Sequence, residues 1–432
     1  MKKIEFESLQ ETLYNEKLPN GLDVYILPKR GYSKTFVTFT TKYGSIDRTF
    51  IPNGKEEAVT VPDGIAHFLE HKMFEKEDGD VFQKFSVQGA SANAFTSSTR
   101  TAYLFSATDQ LYENTQTLLD FVQEPYFTEQ TVEKEKGIIA QEITMYDDLP
   151  DWRLYFGAIE NMFHEHPVKI DIAGTVESIQ DITADYLYEC YETFYHPSNM
   201  VLFVVGAVNP EEMMAFIKKD QNSKTFNEPA EIVREYPEEP NTAAISDRSI
   251  TMDVTKPKMS FAMKCTNTDI EGEEMLMQEL SAGLVLDILF GRSSNFYTAA
   301  YRDGLIDESY SYDFSMEKGY GFAMIVSDTD NPEGLEKSIR KTIQEATATW
   351  PITDTDVDRM RKKKIGQFMR SLNSPEFIAN QFTRYTFNRM NLFDVVSVLE
   401  KMTLVNLKDA FETFSDDSGH TVFKVVPAKQ EA

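Results

Sequence analysis

Cysteine is scarce in this 432-residue sequence, which contains two such residues. Cys190 and Cys265 are too few for a disulfide framework, and so low a number is typical of a reducing compartment. No apolar run approaches the roughly 18 residues that a membrane-spanning helix needs. Glu5 and Glu7 stand where an export signal has its apolar block. We therefore expect a cytoplasmic protein with no membrane association.

Basic residues are also few, because the sequence contains 43 Lys and Arg but 70 Asp and Glu, which gives a formal net charge of −27. A nucleic-acid-binding protein needs basic surface to meet phosphates, so we expect no nucleic-acid partner. The hydrophobic fraction of 41% is ordinary for a globular chain, and the length allows about two to four domains. A generally acidic, solvated surface explains the charge most simply; acidic groups lining a substrate cavity would instead favour basic peptides.

Histidine is rare too, with six residues in all, yet two of them lie four positions apart. Residues i and i+4 share a helix face, so His67 and His71 can point toward one ion. A single helical His is more often an ordinary core or surface residue, but a buried pair of imidazoles needs a partner. Glu70 lies at the edge of the same face. The order His-x-x-Glu-His is the inverted zinc-peptidase motif, which predicts a catalytic zinc site with Glu70 acting on water.

A catalytic zinc site takes a third protein ligand and leaves one position open. The amphipathic stretch 132–143 contains Glu135 and Glu142, which are two helical turns apart and share a face. One could bind the metal while the other accepts the second N–H of a ligating His. Both could also be solvated carboxylates in so acidic a chain. His164 and His166, in a Pro-containing loop, are further candidates, and the residues alone leave the choice open.

The region from residue 64 to 142 resembles the active-site region of the pitrilysin, insulysin and mitochondrial processing peptidase family. The matching pieces are the His-x-x-Glu-His motif, the run Gly-Ala-Ser-Ala-Asn-Ala-Phe-Thr at 89–96, and two Glu at seven-residue spacing. Further matches extend the resemblance over residues 20–210, so it covers about half of the chain.

This resemblance assigns a role to each matching residue. It implies that zinc is held by His67, His71 and Glu142, and that Glu70 is the general base. It also implies that Glu135 does not bind the metal but hydrogen-bonds a ligating His. It also implies an edge strand that pairs with the substrate backbone, formed by Asn93, Ala94 and Phe95.

Pro and charged residues concentrate in 221–247, which predicts a linker between an N-terminal zinc-binding domain, 1–220, and a C-terminal homologous domain without metal, 248–432. The two halves have a similar order of predicted elements. Together with the resemblance, this predicts an α+β fold of two structurally duplicated domains, each a mostly antiparallel sheet covered by helices, that form half of a clam-shell chamber. Predicted strands are 22–27, 35–40, 250–254 and 260–264; predicted helices are 110–122, 182–194, 275–289 and 354–373.

The second half departs from the family pattern at one position. In members that act as one unit, this half supplies an Arg and, seven residues later, a Tyr that orient substrate. Arg302 and Tyr310 are eight residues apart, whereas alignment on Gly304-Leu305 puts Ala300 and Asp307 at these positions. Either Arg302 and Tyr310 bind substrate through a local insertion, or the chain lacks the pair, which is the interpretation that we favour.

The resemblance predicts a zinc metalloendopeptidase that hydrolyses extended peptides or small unfolded polypeptides inside a closed chamber. Family members of this length pair two subunits, so we expect a homodimer, or a heterodimer with a homologous, possibly metal-free subunit. The alternative is a non-hydrolytic or regulatory subunit of such a complex, whose mark would be decay of the motif. A structural zinc domain fits poorly, because structural sites usually have four protein ligands. His420, the one His of the second half, is expected to be exposed.

Overall fold

The computed structural model describes residues 1–77 and 79–428. The strands are β1 (Lys2–Phe6), β2 (Glu11–Lys17), β3 (Asp23–Pro28), β4 (Thr35–Thr41), β5 (Thr49–Ile51), β6 (Val59–Thr60), β7 (Glu75–Lys76), β8 (Gly79–Asp80), β9 (Ser91–Thr96), β10 (Thr101–Ala107), β11 (Met200–Gly206), β12 (Val233–Arg234), β13 (Asp247–Met252), β14 (Lys258–Lys264), β15 (Ser311–Glu317), β16 (Tyr320–Asp328) and β17 (His420–Pro427).

The helices, joined in places by short 3-10 turns, are α1 (Ile65–Phe74), α2 (Val81–Val87), α3 (Leu111–Gln123), α4 (Glu129–Asp147), α5 (Pro150–Met162), α6 (Ala184–Phe194), α7 (Pro210–Ser223), α8 (Gly272–Leu289), α9 (Asn295–Arg302), α10 (Pro332–Thr349), α11 (Asp354–Ser371), α12 (Pro375–Phe387), α13 (Val395–Lys401) and α14 (Leu404–Glu412).

The chain folds into two compact units, each built from three segments. Unit 1 comprises residues 1–143, 170–236 and 371–387; unit 2 comprises 144–169, 237–370 and the chain from 388 onward. Helix α5 therefore belongs to the unit formed mainly by the second half of the chain, and α12 belongs to the other unit. The sequence-based boundaries at 220 and 248 follow the chain without this exchange of helices, and they stay a prediction.

Unit 1 contains a seven-stranded sheet in the order β1-β2-β3-β11-β4-β10-β9. Strands β3 and β11 are parallel, and the other neighbours are antiparallel. The central strands β11, β4 and β10 are buried along their whole length, because helices cover the sheet; α3 packs on β10 and β4, and α12 packs on β11 and β4. A nearly continuous apolar sequence such as Met-Val-Leu-Phe-Val-Val in β11 is typical of a strand covered on both faces.

Unit 2 contains a five-stranded sheet in the order β13-β17-β14-β16-β15. Its first pair is parallel and the others are antiparallel. Strands β3-β11-β4-β10-β9 of unit 1 have the same order and the same single parallel pair. This shared topology confirms the predicted α+β fold with two duplicated domains, and it makes β15 the counterpart of β9.

Part of the predicted linker 221–247 is fixed to unit 1. Strand β12 lies within it and pairs with β5. Arg234 Nε lies 2.8 Å from the buried Asp47 Oδ1, and the Tyr236 hydroxyl donates a hydrogen bond to the same oxygen at 2.6 Å. These contacts fix the part of the predicted linker that belongs to unit 1.

The expectation for His420 is wrong. The residue begins β17 and is buried, with its Nε2 atom 3.0 Å from the carbonyl oxygen of Phe414. The polar residues before it suggested an exposed loop, but the strand starts immediately after them. Among the helices in the described ranges, none combines the length and apolar character required to span a bilayer.

Candidate metal centre

Helix α1 holds the inverted motif inside unit 1. It begins after Gly64, whose φ of +87° favours glycine and whose Cβ position would come within 2.3 Å of the Ala173 carbonyl oxygen. Its apolar residues, among them Phe68, Leu69 and Met73, are buried in the core of the unit. The helix is therefore packed on most of its surface, and its imidazoles have little freedom to turn away.

Helix α4 provides the facing carboxylates. Its apolar residues Val132, Ile139 and Ile143 are buried in the core of unit 1, as the amphipathic pattern predicts. Glu135 is buried and Glu142 is half-buried, on the side of α4 that faces the motif on α1.

His67, His71 and Glu142 form a cluster whose candidate ligand atoms all lie within 4.8 Å of one another. The distance from His71 Nε2 to Glu142 Oε2 is 3.5 Å, and that from His67 Nε2 to Glu142 Oε1 is 3.8 Å. A tetrahedral zinc ion with bonds of about 2.0–2.1 Å separates its ligand atoms by about 3.3 Å. The three donors therefore fit one zinc ion with only small movements.

Glu135 contacts His71 from the opposite side of the ring. Its Oε1 atom accepts a hydrogen bond from His71 Nδ1 at 3.1 Å. A proton on Nδ1 leaves the lone pair of Nε2 directed toward Glu142, which is the tautomer that a metal ligand needs. Nδ1 of His67, by contrast, is buried without a hydrogen-bond partner in the described part of the chain.

The two imidazoles differ in their electrostatics. Burial, with a contribution from His71, lowers the pKa of His67 to about 3, so its ring is neutral and able to bind a metal. Burial also acts to lower the pKa of His71, but the hydrogen bond to Glu135 and the charges of Glu70 and Glu142 outweigh it, and the pKa of His71 is raised.

Glu70 lies beside the cluster without joining it. Its side chain is buried, and its Oε2 atom accepts a hydrogen bond of 2.8 Å from the hydroxyl of Thr96, the last residue of β9. Burial raises the pKa of Glu70, while Thr96 and His71 act against the rise. A carboxyl group with a raised pKa can take up and release a proton nearer neutral pH. The contribution of Thr96 was missed in the sequence, although the residue ends the matching run at 89–96.

Strand β9 is the last strand of its sheet and pairs with β10 alone. Ser97 N donates to Arg100 O at 2.8 Å, and hydrogen-bonded pairs alternate along an antiparallel ladder. The backbone N–H and C=O groups of Phe95 and Asn93 therefore point toward β10, and those of Ala94 point away from it. The Ala94 N–H agrees with this alternation, because it donates to the side chain of Asn93 at 2.9 Å. Among the described residues no strand occupies this edge, which leaves it available to an extended peptide.

Comparison with known proteins gives the family of the chain. The sequence model of the insulinase family, peptidase family M16, matches residues 50–176, and that of the peptidase M16 inactive domain matches residues 181–364. The chain is 58% identical to the uncharacterized zinc protease YmfH of Bacillus subtilis (strain 168) over 427 residues, which cover 99% of both chains. The chain belongs to peptidase family M16.

Solved structures show how the M16 chain compares in fold. An M16-like peptidase from Alicyclobacillus acidocaldarius has a TM-score of 0.93 and 38% identity, over 97% of this chain and 99% of that one. Pitrilysin has a TM-score of 0.76 and 15% identity, and here the M16 chain is covered completely but spans 47% of the pitrilysin chain. The likeness to pitrilysin shows the fold alone.

The pair Arg302 and Tyr310 of this M16 chain is already engaged. Arg302, 73% exposed at the end of α9, forms an ion pair of 2.9 Å with the adjacent Asp303. Tyr310 is buried, and its hydroxyl donates to the carbonyl oxygen of Phe290 at 2.8 Å. The alternative positions are no more suited to substrate, since Ala300 is buried and Asp307 forms an ion pair with Lys256 at 2.7 Å. The substrate-binding role of Arg302 and Tyr310 stays a prediction.

His164 and His166, the other candidate ligands in the M16 chain, belong to unit 2 and are not part of the cluster. The backbone N–H groups of both donate to Glu239, at 2.9 and 2.7 Å. The buried Nδ1 of His166 accepts a hydrogen bond from Val168 N at 3.1 Å, and burial lowers its pKa to about 4. The loop that holds them is thus organised around a carboxylate of its own unit.

Proposed function

We propose that this M16 chain is a zinc metalloendopeptidase in which His67, His71 and Glu142 hold the metal. The observation that carries the proposal is the approach of both Nε2 atoms to one carboxylate, at 3.5 and 3.8 Å, beside a buried Glu70. The zinc-protease names of its relatives are consistent with it. Two His and one carboxylate form a three-ligand set that is typical of catalytic rather than structural zinc.

Glu70 is proposed to move the proton. When bound, zinc supplies a Lewis acid that lowers the pKa of water and polarises the scissile carbonyl. The Glu70 Oε1 atom, which does not take part in the Thr96 hydrogen bond, accepts a proton from the attacking water. The same carboxyl then delivers this proton to the nitrogen of the leaving amine. The raised pKa of Glu70 favours these transfers, since it makes the carboxylate a stronger base than an exposed glutamate.

The free edge of β9 is proposed to hold the substrate in an extended conformation. Its outward backbone groups at Ala94 can form ladder hydrogen bonds with a peptide, and Asn93 and Phe95 lie beside them. Backbone pairing depends little on side chains, so the substrates that we propose are extended peptides or small unfolded polypeptides.

A second subunit is proposed to complete the enzyme in the cytoplasm. The chain matches 47% of pitrilysin, so one chain corresponds to about half of that fold. The hydroxyl of Tyr310 and the guanidinium of Arg302 are bonded within their own unit, which leaves the substrate-orienting pair to a partner. The partner would be a second copy or a homologous, possibly metal-free chain.

Metal analysis combined with a quenched-fluorescence peptide library tests the proposal. We expect zinc-dependent cleavage that a chelator removes and added zinc restores. Binding of zinc without any cleavage, alone or with a homologous partner, would favour the non-hydrolytic subunit instead. If the isolated chain cleaves as fast as any reconstituted mixture, the proposed requirement for a partner is wrong.

A further inference from the structure

Lys72 immediately follows His71 on α1, and its side chain is 0% exposed. A buried ammonium group is strongly unfavourable unless a negative charge compensates it, because burial removes the water that solvates the charge. Apart from the hydrogen bonds of Glu70 with Thr96 and of His71 with Glu135, α1 is held by apolar contacts, which are not directional and tolerate small shifts along the helix. A charged group at this position therefore needs a specific explanation.

The ammonium group of Lys72 forms an ion pair with Glu75 Oε2. Glu75 is the first residue after α1, and its Oε1 atom also lies 3.6 Å from Lys134 Nζ on α4. Lys134 immediately precedes Glu135, the residue that accepts the hydrogen bond of His71 Nδ1. One carboxylate thus links the C-terminal end of α1 to the segment of α4 that orients a candidate ligand.

We propose that Lys72 holds Glu75 in contact with Lys134 of α4, and that this bridge, beside the His71–Glu135 hydrogen bond, sets the position of α1 against α4 and thereby the spacing between His71 and Glu142. Lys72 is in this sense a positioning residue, and the inference rests on the zinc site proposed above. A buried ion pair contributes little net stability compared with apolar residues of the same size. Its directional bond, however, fixes a register that apolar packing leaves adjustable. Because removal of one partner of a buried pair also destabilises the fold, the effect that marks this role is a loss of metal affinity beyond any loss of stability.

The test uses Lys72→Met, Glu75→Gln and the double variant of the full chain. Zinc affinity is measured by competition with a chelator of known affinity, and the melting temperature is recorded with and without zinc. Loss of groups that bond directly to metal ligands weakens binding by about 10–100-fold, and Lys72 and Glu75 lie one contact further from the ligands, so we expect about tenfold for each single variant. Because both residues act through one pair, the double variant should lose no more zinc affinity than the single variant that binds zinc less tightly.

Lys264→Met is the matched control. Lys264 is a lysine of unit 2, 4% exposed and ion-paired with Glu239, so its loss removes a buried cation without touching the zinc site. It should lower the melting temperature and leave zinc affinity unchanged. Equal loss of zinc affinity in this control would overturn the inference, because general destabilisation would then suffice.

The remaining outcomes separate the two proposals. If the wild type binds no zinc, the proposed function fails, and the inference fails with it. If the wild type binds zinc and either single variant binds as tightly, or the two effects add, the inference alone fails. Should Lys72→Met not fold, Glu75→Gln decides, because Glu75 is 29% exposed and its neutral amide is tolerated there.

Discussion

The hydrogen bond from Thr96 to Glu70 gives a prediction with a definite sign. Replacement of Thr96 by Val keeps the β-branched shape that suits a strand but removes the hydroxyl that lies 2.8 Å from Glu70 Oε2. That hydroxyl stabilises the ionised carboxylate. Without it, the already raised pKa of Glu70 should rise further.

The size of the shift follows from the energy of such a bond. A hydrogen bond to a charged group contributes about 1.5–3 kcal/mol, and one pKa unit corresponds to about 1.4 kcal/mol. Thr96→Val should therefore raise the pKa of Glu70 by about 1–2 units. The ionised base then persists only at higher pH, so activity falls at the acidic side and recovers as the pH increases.

The assay is the pH dependence of kcat/KM for a quenched peptide, which reports the pKa of the essential base in the free enzyme. The acidic limb should move to higher pH by about 1–2 units. Thr38→Val is the control, since Thr38 is a buried threonine of β4 whose hydroxyl has no hydrogen-bond partner among the residues described. An acidic limb that stays in place, with or without a uniform loss of rate, would refute the assignment of Thr96 to the base.

Three further changes test separate parts of the molecule. Glu70→Gln should keep zinc but lose activity by about 10²–10⁴-fold, as measured by metal analysis and peptide cleavage, because the amide cannot accept the proton; unchanged cleavage would exclude Glu70 as the base. Ala94→Pro should raise KM strongly at unchanged melting temperature, because it removes an outward N–H and no β9–β10 hydrogen bond; an unaltered KM would mean that substrate binds elsewhere. Lys264 and three backbone N–H groups lower the pKa of Glu239 to about 2 against the effect of burial, so its stabilisation is complete above the unfolded pKa of about 4.3 and is lost as pH falls toward 2. Urea unfolding should show that Glu239→Gln is less stable at pH 7, by up to about 3 kcal/mol, and that its stability changes less between about pH 4.3 and 2; parallel pH profiles would contradict this.

Elements with a clear local pattern could be predicted from the sequence. The helix expected at 354–373 is α11 (Asp354–Ser371), and the strand expected at 35–40 is β4 (Thr35–Thr41). Their periodicity reflects contacts with one surface, which the side chains themselves record. No local sequence pattern indicates that α5 belongs to unit 2 or that α12 belongs to unit 1. Their partners lie far away in the sequence, and an amphipathic helix does not specify which sheet it covers.

The site was predictable to the same extent. The spacing of His67 and His71 determines that they share a helix face, and the structure places them with Glu142 in one cluster. Spacing could not distinguish Glu135 from Glu142, because both lie on one face of α4; only the packing of α4 against α1 shows which carboxylate approaches both Nε2 atoms. The contact of Thr96 with Glu70 depends on β9 lying beside α1, a tertiary arrangement that no local pattern contains.

Zinc stoichiometry in the wild type and in Glu142→Ala tests the central claim most directly. Elemental analysis of the purified wild-type chain should find one zinc ion per chain, and the variant should bind almost none while keeping its fold by circular dichroism. Full zinc occupancy in Glu142→Ala would contradict the assignment of His67, His71 and Glu142 as the ligand set.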